Sequence, residues 1–173
     1  MAEHIFRVAW ILIALTLSKH EGEGDEGKIL KLAIVHDIAE SRTGDVNYLT
    51  RQYTKRDDKK AFNDIASGTI HELEIFALAN EYEERKSVES RIVKDADTLD
   101  VELELRELNT KGSLVPKEWK KHRNLYVFPT LYTASAKYFW KSIALANPID
   151  WHHLSSGNRF KGGDWKKGKI KNG

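Results

Sequence analysis

One short segment, residues 29–45 (ILKLAIVHDIAESRTGD), constrains this chain more than any other part of it. Read as a helix, it is apolar around nearly its whole circumference, and such a helix is buried. The apolar residues of this pattern are Leu30, Leu32, Ala33, Ile34, Val35, Ile38 and Ala39. Ionisable groups in a core are costly unless they are hydrogen-bonded, paired or bound to a metal. The segment therefore predicts a buried helix, ending near Ser41, in which His36, Asp37 and Glu40 need partners from elsewhere in the chain.

Helical spacing of apolar residues continues through most of the remaining sequence. The other predicted helices cover residues 3–19, 57–68, a segment opened by a capping box at 69–72, 88–108 capped by Ser87, and 131–146 capped by Thr130, with a short helical turn at 117–123. Ile70, Leu73 and Tyr138 are among the side chains expected to face the core. No strand pattern is present. We therefore expect one all-α domain of about six helices over residues 1–148, followed by an irregular basic tail at 149–173 that belongs to this domain or contacts another subunit.

The charge balance and the residue types exclude several classes of function. A net charge of +2 is too close to neutral to indicate a nucleic-acid partner. The tail carries most of the clustered cations, and we expect it to be solvated rather than bound to nucleic acid: Arg159, Lys161, Lys166, Lys167, Lys169 and Lys171. The longest apolar run, Val8 to Leu17, is too short to cross a bilayer. The absence of cysteine rules out disulfides and thiolate ligands and fits a cytoplasmic location.

Two further regions offer partners for the central helix. His4 lies one turn before Val8 on the apolar stripe of the first helix, and Asp97 lies beside the buried stripe of the longest helix. With His36 and Asp37 they form a nitrogen and oxygen ligand set that suits Mn, Fe, Co, Ni, Zn or Mg. Glu40 lies one turn from His36 on the same face and is near enough either to support the ligands from behind or to act as a base for a metal-bound water. The neighbouring carboxylates, Asp95 and Asp100, are expected at the surface or behind the ligands.

Four short motifs in this order carry a family resemblance: Glu3-His4, HDIAE at 36–40, Gly44-Asp45 and KDAD at 94–97. The pattern resembles the HD-domain phosphohydrolase superfamily. Within that superfamily it is similar to the 5′-deoxynucleotidase branch, whose small helical proteins hydrolyse deoxyribonucleoside 5′-monophosphates. The resemblance covers residues 3–108 and implies an HD-type helical bundle.

The resemblance also implies roles for individual residues. The family's metal ligands fall on His4, His36, Asp37 and Asp97, which would hold one divalent ion per chain, Co or Mn being preferred. The family's acidic catalytic pair falls on Glu40 and Asp45, and His4 and Asp45 are also expected to contact the substrate. A nucleotide substrate and a homodimer follow from the same resemblance.

One departure from the family keeps other functions open. Relatives usually carry a helix before the first motif, with an arginine that contacts substrate, whereas here the motif directly follows Met1. A truncated chain, a different mode of phosphate binding and reduced activity are all consistent with this. The alternatives are hydrolysis of another nucleotide (cyclic, triphosphate or alarmone) and a non-catalytic, metal-stabilised binding protein.

Overall fold

The computed structural model describes residues 1–17 and 24–150, and over these ranges the chain is helical without strands, as predicted. The α-helices are α1 (Ala2–Leu17), α2 (Glu26–Val35), α3 (Glu40–Thr43), α4 (Asp58–Ala66), α5 (Glu72–Glu84), α6 (Val88–Thr110), α7 (Val115–His122) and α8 (Ala134–Leu145). Short turns of other helix types cover Thr50–Gln52, Arg123–Val127 and Phe128–Thr130. No helix in the described ranges has the length and apolar character that crossing a membrane requires. The predicted tail lies outside them from residue 151 onward.

Helix α6 is the centre of the bundle and packs against α1, α2, α5, α7 and α8. Its first turn is capped as predicted, because the Ser87 hydroxyl accepts a hydrogen bond from the Ser90 amide at 3.1 Å. The core-facing residues of α6, among them Val93, Ala96 and Leu99, are fully buried. They meet the stripe predicted for α1, whose members Val8, Ile11, Leu12 and Leu15 are all buried.

The prediction of one continuous helix through Ser41 is wrong. Helix α2 ends at Val35, and residues 36–39 form a turn before α3 begins at Glu40. In this turn the amides of Ile38 and Glu40 bond to carbonyls three residues earlier, at 3.1 Å and 2.9 Å. That tighter bonding takes the backbone out of the α-helical pattern. As a result His36 and Asp37 lie on a turn at the end of α2.

The all-round burial expected for this segment is also wrong. Leu30 and Ile34 are 39% and 59% exposed, because α2 packs against α1, α5 and α6 and leaves its remaining side open. Ile70, Leu73 and Tyr138, expected in the core, are exposed as well. Ile70 precedes α5, which begins only at Glu72.

The last helix begins later than predicted. Its cap is Thr133 rather than Thr130, since the Thr133 hydroxyl accepts a hydrogen bond from the Ala136 amide at 3.1 Å. Thr130 instead bonds back to the Val127 carbonyl at 2.7 Å. Thr133 also donates to the buried carboxylate of Asp95 in α6, so the start of α8 is held against α6.

A candidate metal centre

The four side chains predicted as metal ligands come together between α1, the end of α2 and α6. The Nε2 atom of His4 lies 3.3 Å from His36 Nε2, 3.2 Å from Asp37 Oδ2 and 3.5 Å from Asp97 Oδ1. His36 Nε2 lies 3.3 Å from the same Asp37 oxygen. One ligand atom from each of His4, His36 and Asp97 falls within 4.8 Å of the others. His4, His36 and Asp97 could thus share one ion, and Asp37 lies beside the two imidazoles.

These spacings fit a divalent ion. Metal bonds of ~2.0–2.2 Å to nitrogen and oxygen place neighbouring ligand atoms about 3 Å apart, close to the separations within the cluster. The donor set of imidazole and carboxylate is one that Mn, Fe, Co, Ni and Zn accept. Among the residues that the structure describes, this cluster could hold such an ion.

The other ring nitrogen of each histidine is already fixed by the protein. His4 Nδ1 lies 2.7 Å from Asp100 Oδ2, and His36 Nδ1 donates to the Ala33 carbonyl at 2.7 Å. Hydrogen bonds to Asp100 and then to Asp37 raise the pKa of His4 to about 10. A metal held by His4 would take the Nε2 position in place of a proton, and Asp100 would still accept the hydrogen bond from Nδ1.

Asp100 is itself a deeply buried group. Its side chain accepts hydrogen bonds from Arg7 Nε at 2.6 Å and Arg7 Nη2 at 3.1 Å in addition to its bond with His4. Burial opposes its ionisation, but these hydrogen bonds outweigh burial and hold the pKa of Asp100 below its usual value. For Asp37 the balance is the same, since hydrogen bonds to His36 and His4 overcome burial and lower its pKa.

Asp97 is held by two neighbours that leave one of its oxygens for the cluster. Lys94 Nζ lies 2.7 Å from Asp97 Oδ2, and the Tyr82 hydroxyl approaches the same oxygen at 3.5 Å. The Tyr82 ring also packs edge-on against His36, with ring centroids 5.1 Å apart. Burial raises the pKa of Tyr82 well above its usual value, so this hydroxyl keeps its proton.

Glu40, the predicted base, is held by an arginine that the sequence did not single out. Arg56 Nη1 donates to Glu40 Oε1 at 2.8 Å, and Arg56 Nη2 donates to Asp58 at 2.9 Å. Burial raises the pKa of Glu40, the charges of Asp37 and Asp45 add to this, and Arg56 opposes it. The net effect is a carboxyl group whose pKa is higher than usual.

Asp45 occupies a different environment on the wall of the same cavity. It is exposed, and it follows Gly44, whose φ of 77° is readily adopted only by glycine. The cavity has a volume of about 1250 Å³ and is lined by all six residues predicted for the site. Its lining also includes groups that the sequence reasoning did not assign to it: Arg7, Arg56, Tyr82 and Arg85.

The two carboxylates beside Asp97 turn out differently from each other. Asp100 lies behind His4, one of the two positions expected for it. Asp95 is buried and accepts hydrogen bonds from the Tyr132 amide at 2.9 Å and from Thr133 at 2.8 Å and 2.7 Å, away from the cluster. The expectation of a surface position or a place behind the ligands is wrong for Asp95. Its partners lie far along the sequence, where no local pattern points to them.

A helical bundle whose histidines and aspartates converge on one point of an open cavity defines an all-α protein with a candidate metal site. The chain belongs to the HD domain family, whose model matches residues 1–127. The predicted superfamily is thereby confirmed.

Individual relatives agree with this assignment. A Dictyostelium discoideum protein named 5′-deoxynucleotidase HDDC2 is 33% identical over 118 residues, a match that covers 62% of this chain and 61% of that protein. The chain therefore spans about three fifths of that relative's length. A solved structure of a Pyrococcus horikoshii protein has a TM-score of 0.66 at 28% identity, covering 83% of this chain and 82% of the other. A Magnetospirillum magnetotacticum structure, named a predicted metal-dependent phosphohydrolase, has a TM-score of 0.66, covers 83% of this chain and 74% of the other, and at 20% identity shares the fold alone.

Proposed function

We propose that this chain is a divalent-metal-dependent phosphohydrolase that releases phosphate from deoxyribonucleoside 5′-monophosphates. The observation that carries the proposal is the convergence of His4, His36, Asp37 and Asp97 on one cavity whose wall also holds Glu40 and Asp45. The name of the Dictyostelium relative supports the substrate class.

The residues that would hold one Mn or Co ion are His4, His36, Asp37 and Asp97. Such an ion supplies a positive charge that polarises a phosphoryl oxygen and favours ionisation of water. The protein contributes rigidity, because His4, His36 and Asp97 are each fixed by a second hydrogen bond or ion pair.

We assign the proton-transfer role to Glu40 and substrate contact to Asp45 and His4. A burial-raised pKa brings Glu40 closer to neutrality, where a general base is most effective, and Arg56 fixes its orientation. In the proposed reaction the oxygen of water bonds to phosphorus as the bond to the 5′-oxygen breaks. Glu40 takes one proton from the water and passes it to the leaving 5′-oxygen, while the other water proton stays on the released phosphate. The exposed Asp45 is free to bind the nucleoside part of the substrate.

The test is phosphate release from a panel of deoxyribonucleoside monophosphates in the presence of Mn or Co. We expect turnover by the native protein and a loss of about a hundredfold or more in Glu40→Ala and Asp97→Ala. Asp64→Ala changes an exposed carboxylate of α4 outside the cavity lining and should retain full activity. Absence of turnover with metal bound would favour a binding protein, and turnover of cyclic or triphosphate nucleotides alone would change the substrate class.

We further propose that the protein is a cytoplasmic homodimer. The outer face of α1 exposes Phe6 and Trp10, whose rings pack edge-on at 6.4 Å, and this apolar surface supports self-association. Light scattering coupled to size exclusion measures the mass directly, and a monomer at micromolar concentration would contradict the dimer.

A further inference from the structure

Arg85 has a backbone conformation that is unfavourable for its side chain. It follows the last residue of α5 with φ 53° and ψ 29°, in the left-handed region. Over residues 1–17 and 24–150 it is the one non-glycine residue with positive φ. Because a Cβ atom crowds the backbone there, glycine normally occupies such helix ends. An arginine at this position is a local outlier of the kind that clusters at functional sites.

The guanidinium group of Arg85 lies over the ring of Tyr82, the aromatic residue that contacts His36 and Asp97. Its central carbon is 3.3 Å from the centroid of the Tyr82 ring, the ring that also contacts His36 and reaches Asp97. Arg85 thus lies on the cavity wall one side chain away from the candidate ligands.

One nitrogen of the Arg85 guanidinium lacks a hydrogen-bond partner within the part of the chain that the structure describes. Its Nη1 atom is buried and has no hydrogen-bond partner there. Stacking on Tyr82 uses the face of the guanidinium plane and leaves its N–H edge for an acceptor. A buried N–H without an acceptor is costly, which indicates a group whose partner is not among these residues.

The other cations nearest the cluster already have carboxylate partners. Arg7 binds Asp100, Arg56 binds Glu40 and Asp58, and Lys94 binds Asp97. The remaining cations of the cavity lining are exposed side chains: Arg51, Lys59 and Lys111. Among the described residues that line this cavity, Arg85 is therefore the partly buried arginine or lysine without a carboxylate partner.

We propose that Arg85 binds the phosphate group of the substrate, an inference that rests on the proposed function and extends it. The planar fork of an arginine matches two phosphoryl oxygens, and stacking on an aromatic ring fixes its plane. A site lined by several carboxylates repels a phosphate dianion, so a positive charge beside the ligands favours its entry. The side chain is partly exposed and lines the cavity.

The most informative variant is Arg85→Gly, because it removes the guanidinium and relieves the left-handed backbone at the same time. Its melting temperature should therefore equal or exceed that of the native protein. With Mn present, we expect KM for a deoxyribonucleoside monophosphate to rise about ten- to hundredfold, the effect of losing charge-assisted hydrogen bonds, while kcat changes little. Inhibition by inorganic phosphate should weaken by a similar factor, and inhibition by the free nucleoside should not change. Arg85→Lys keeps the positive charge but lacks the planar fork. Its KM should lie between those of the native protein and Arg85→Gly.

The matched control is Lys86→Gly, which removes the neighbouring exposed cation outside the cavity lining and should leave KM unchanged. Native KM and native phosphate inhibition in a folded Arg85→Gly protein would overturn the proposal. Weakened phosphate inhibition with a native KM would also overturn it, since the residue would then bind only free phosphate. If the native protein hydrolyses no nucleotide, the proposed function fails, and a phosphate-induced shift in melting temperature, present in the native protein and lost in Arg85→Gly, still tests anion binding separately.

Discussion

Two carboxylates of α6, Asp95 and Asp100, are equally buried but have different kinds of hydrogen-bond partner. Each is 1% exposed, and each accepts several short hydrogen bonds. Asp95 receives its bonds from Tyr132 and Thr133, the residues that lead into α8. Asp100 receives them from Arg7 and His4, and the latter is a candidate metal ligand.

The difference lies in the type of donor. Backbone amides and a hydroxyl cannot move without unravelling a helix start, so Asp95 joins two helices. The donors to Asp100 are cationic side chains, one of which has a second nitrogen facing the cavity. Burial and the number of hydrogen bonds therefore do not distinguish a structural carboxylate from one that orients a ligand. The type of hydrogen-bond donor does.

The largest effect on stability is expected at Asp95. Asp95→Ala leaves the buried donors of Tyr132 and Thr133 unsatisfied, which should lower the free energy of unfolding by about 3 kcal/mol. The affinity for Mn should not change. Urea denaturation measures the first quantity and calorimetric titration the second. A tenfold or greater loss of Mn affinity in a folded Asp95→Ala protein would remove the distinction between the two carboxylates.

Addition of Mn should stabilise the protein only where the ligand cluster is intact. At a free Mn concentration about a hundred times Kd, binding to the folded state alone stabilises it by about 2.7 kcal/mol. We expect this gain in the native protein and equally in Asp95→Ala, because the cluster is intact in both. Asp97→Ala should show none of it. Denaturation with and without Mn, with chelator as the blank, measures the gain, and equal stabilisation of Asp97→Ala would indicate binding elsewhere.

Asp100→Ala should lower the affinity for Mn, in contrast to Asp95→Ala. Losing the partner that orients a ligating histidine typically costs about ten- to hundredfold in metal affinity. Asp100→Asn keeps an acceptor for His4 Nδ1 and should recover part of that affinity, a recovery that a purely structural role would not produce. Native Mn affinity in Asp100→Ala would show that His4 is held well enough without this carboxylate.

Much of this architecture could be predicted from local sequence patterns. Helix α6 follows from the Ser87 cap and the apolar stripe through Leu99, and the stripe of α1 follows from the same spacing. The four candidate ligands were predicted as a set and do converge. Their roles in metal binding and catalysis stay predictions.

The features that were missed depend on contacts that a local pattern does not contain. Ile34 is exposed because the three helices packed against α2 leave one of its sides open. The turn at residues 36–39 joins two segments whose sequences both favour helix. Asp95 and Arg56 act through partners distant in sequence, Thr133 and Glu40. Arg85 gave no signal because a left-handed helix end is normally marked by glycine.

The smallest expected effect concerns a third carboxylate, Glu40. Like Asp100 it is bound by an arginine, Arg56, but it lies on the cavity wall. Arg56 lowers the pKa of Glu40 against the effect of burial. If Glu40 is the base, it must be ionised, so activity falls as pH drops through its pKa. Arg56→Gln removes the opposing charge, and the acid limb of the pH–rate profile should then move to higher pH. At alkaline pH the rate should stay close to native, and at acidic pH the loss should be smaller than the hundredfold expected for Glu40→Ala.

Arg51→Gln is the matched control, because Arg51 lines the same cavity and donates to the Val46 carbonyl rather than to Glu40. Its acid limb should coincide with that of the native protein. An unmoved limb in Arg56→Gln would assign the base to Asp45, which has no arginine among its hydrogen-bond partners in the described part of the chain. A shift in Arg56→Gln alone would instead show that a partner's charge tunes this carboxylate, as the charge of Arg7 does for Asp100.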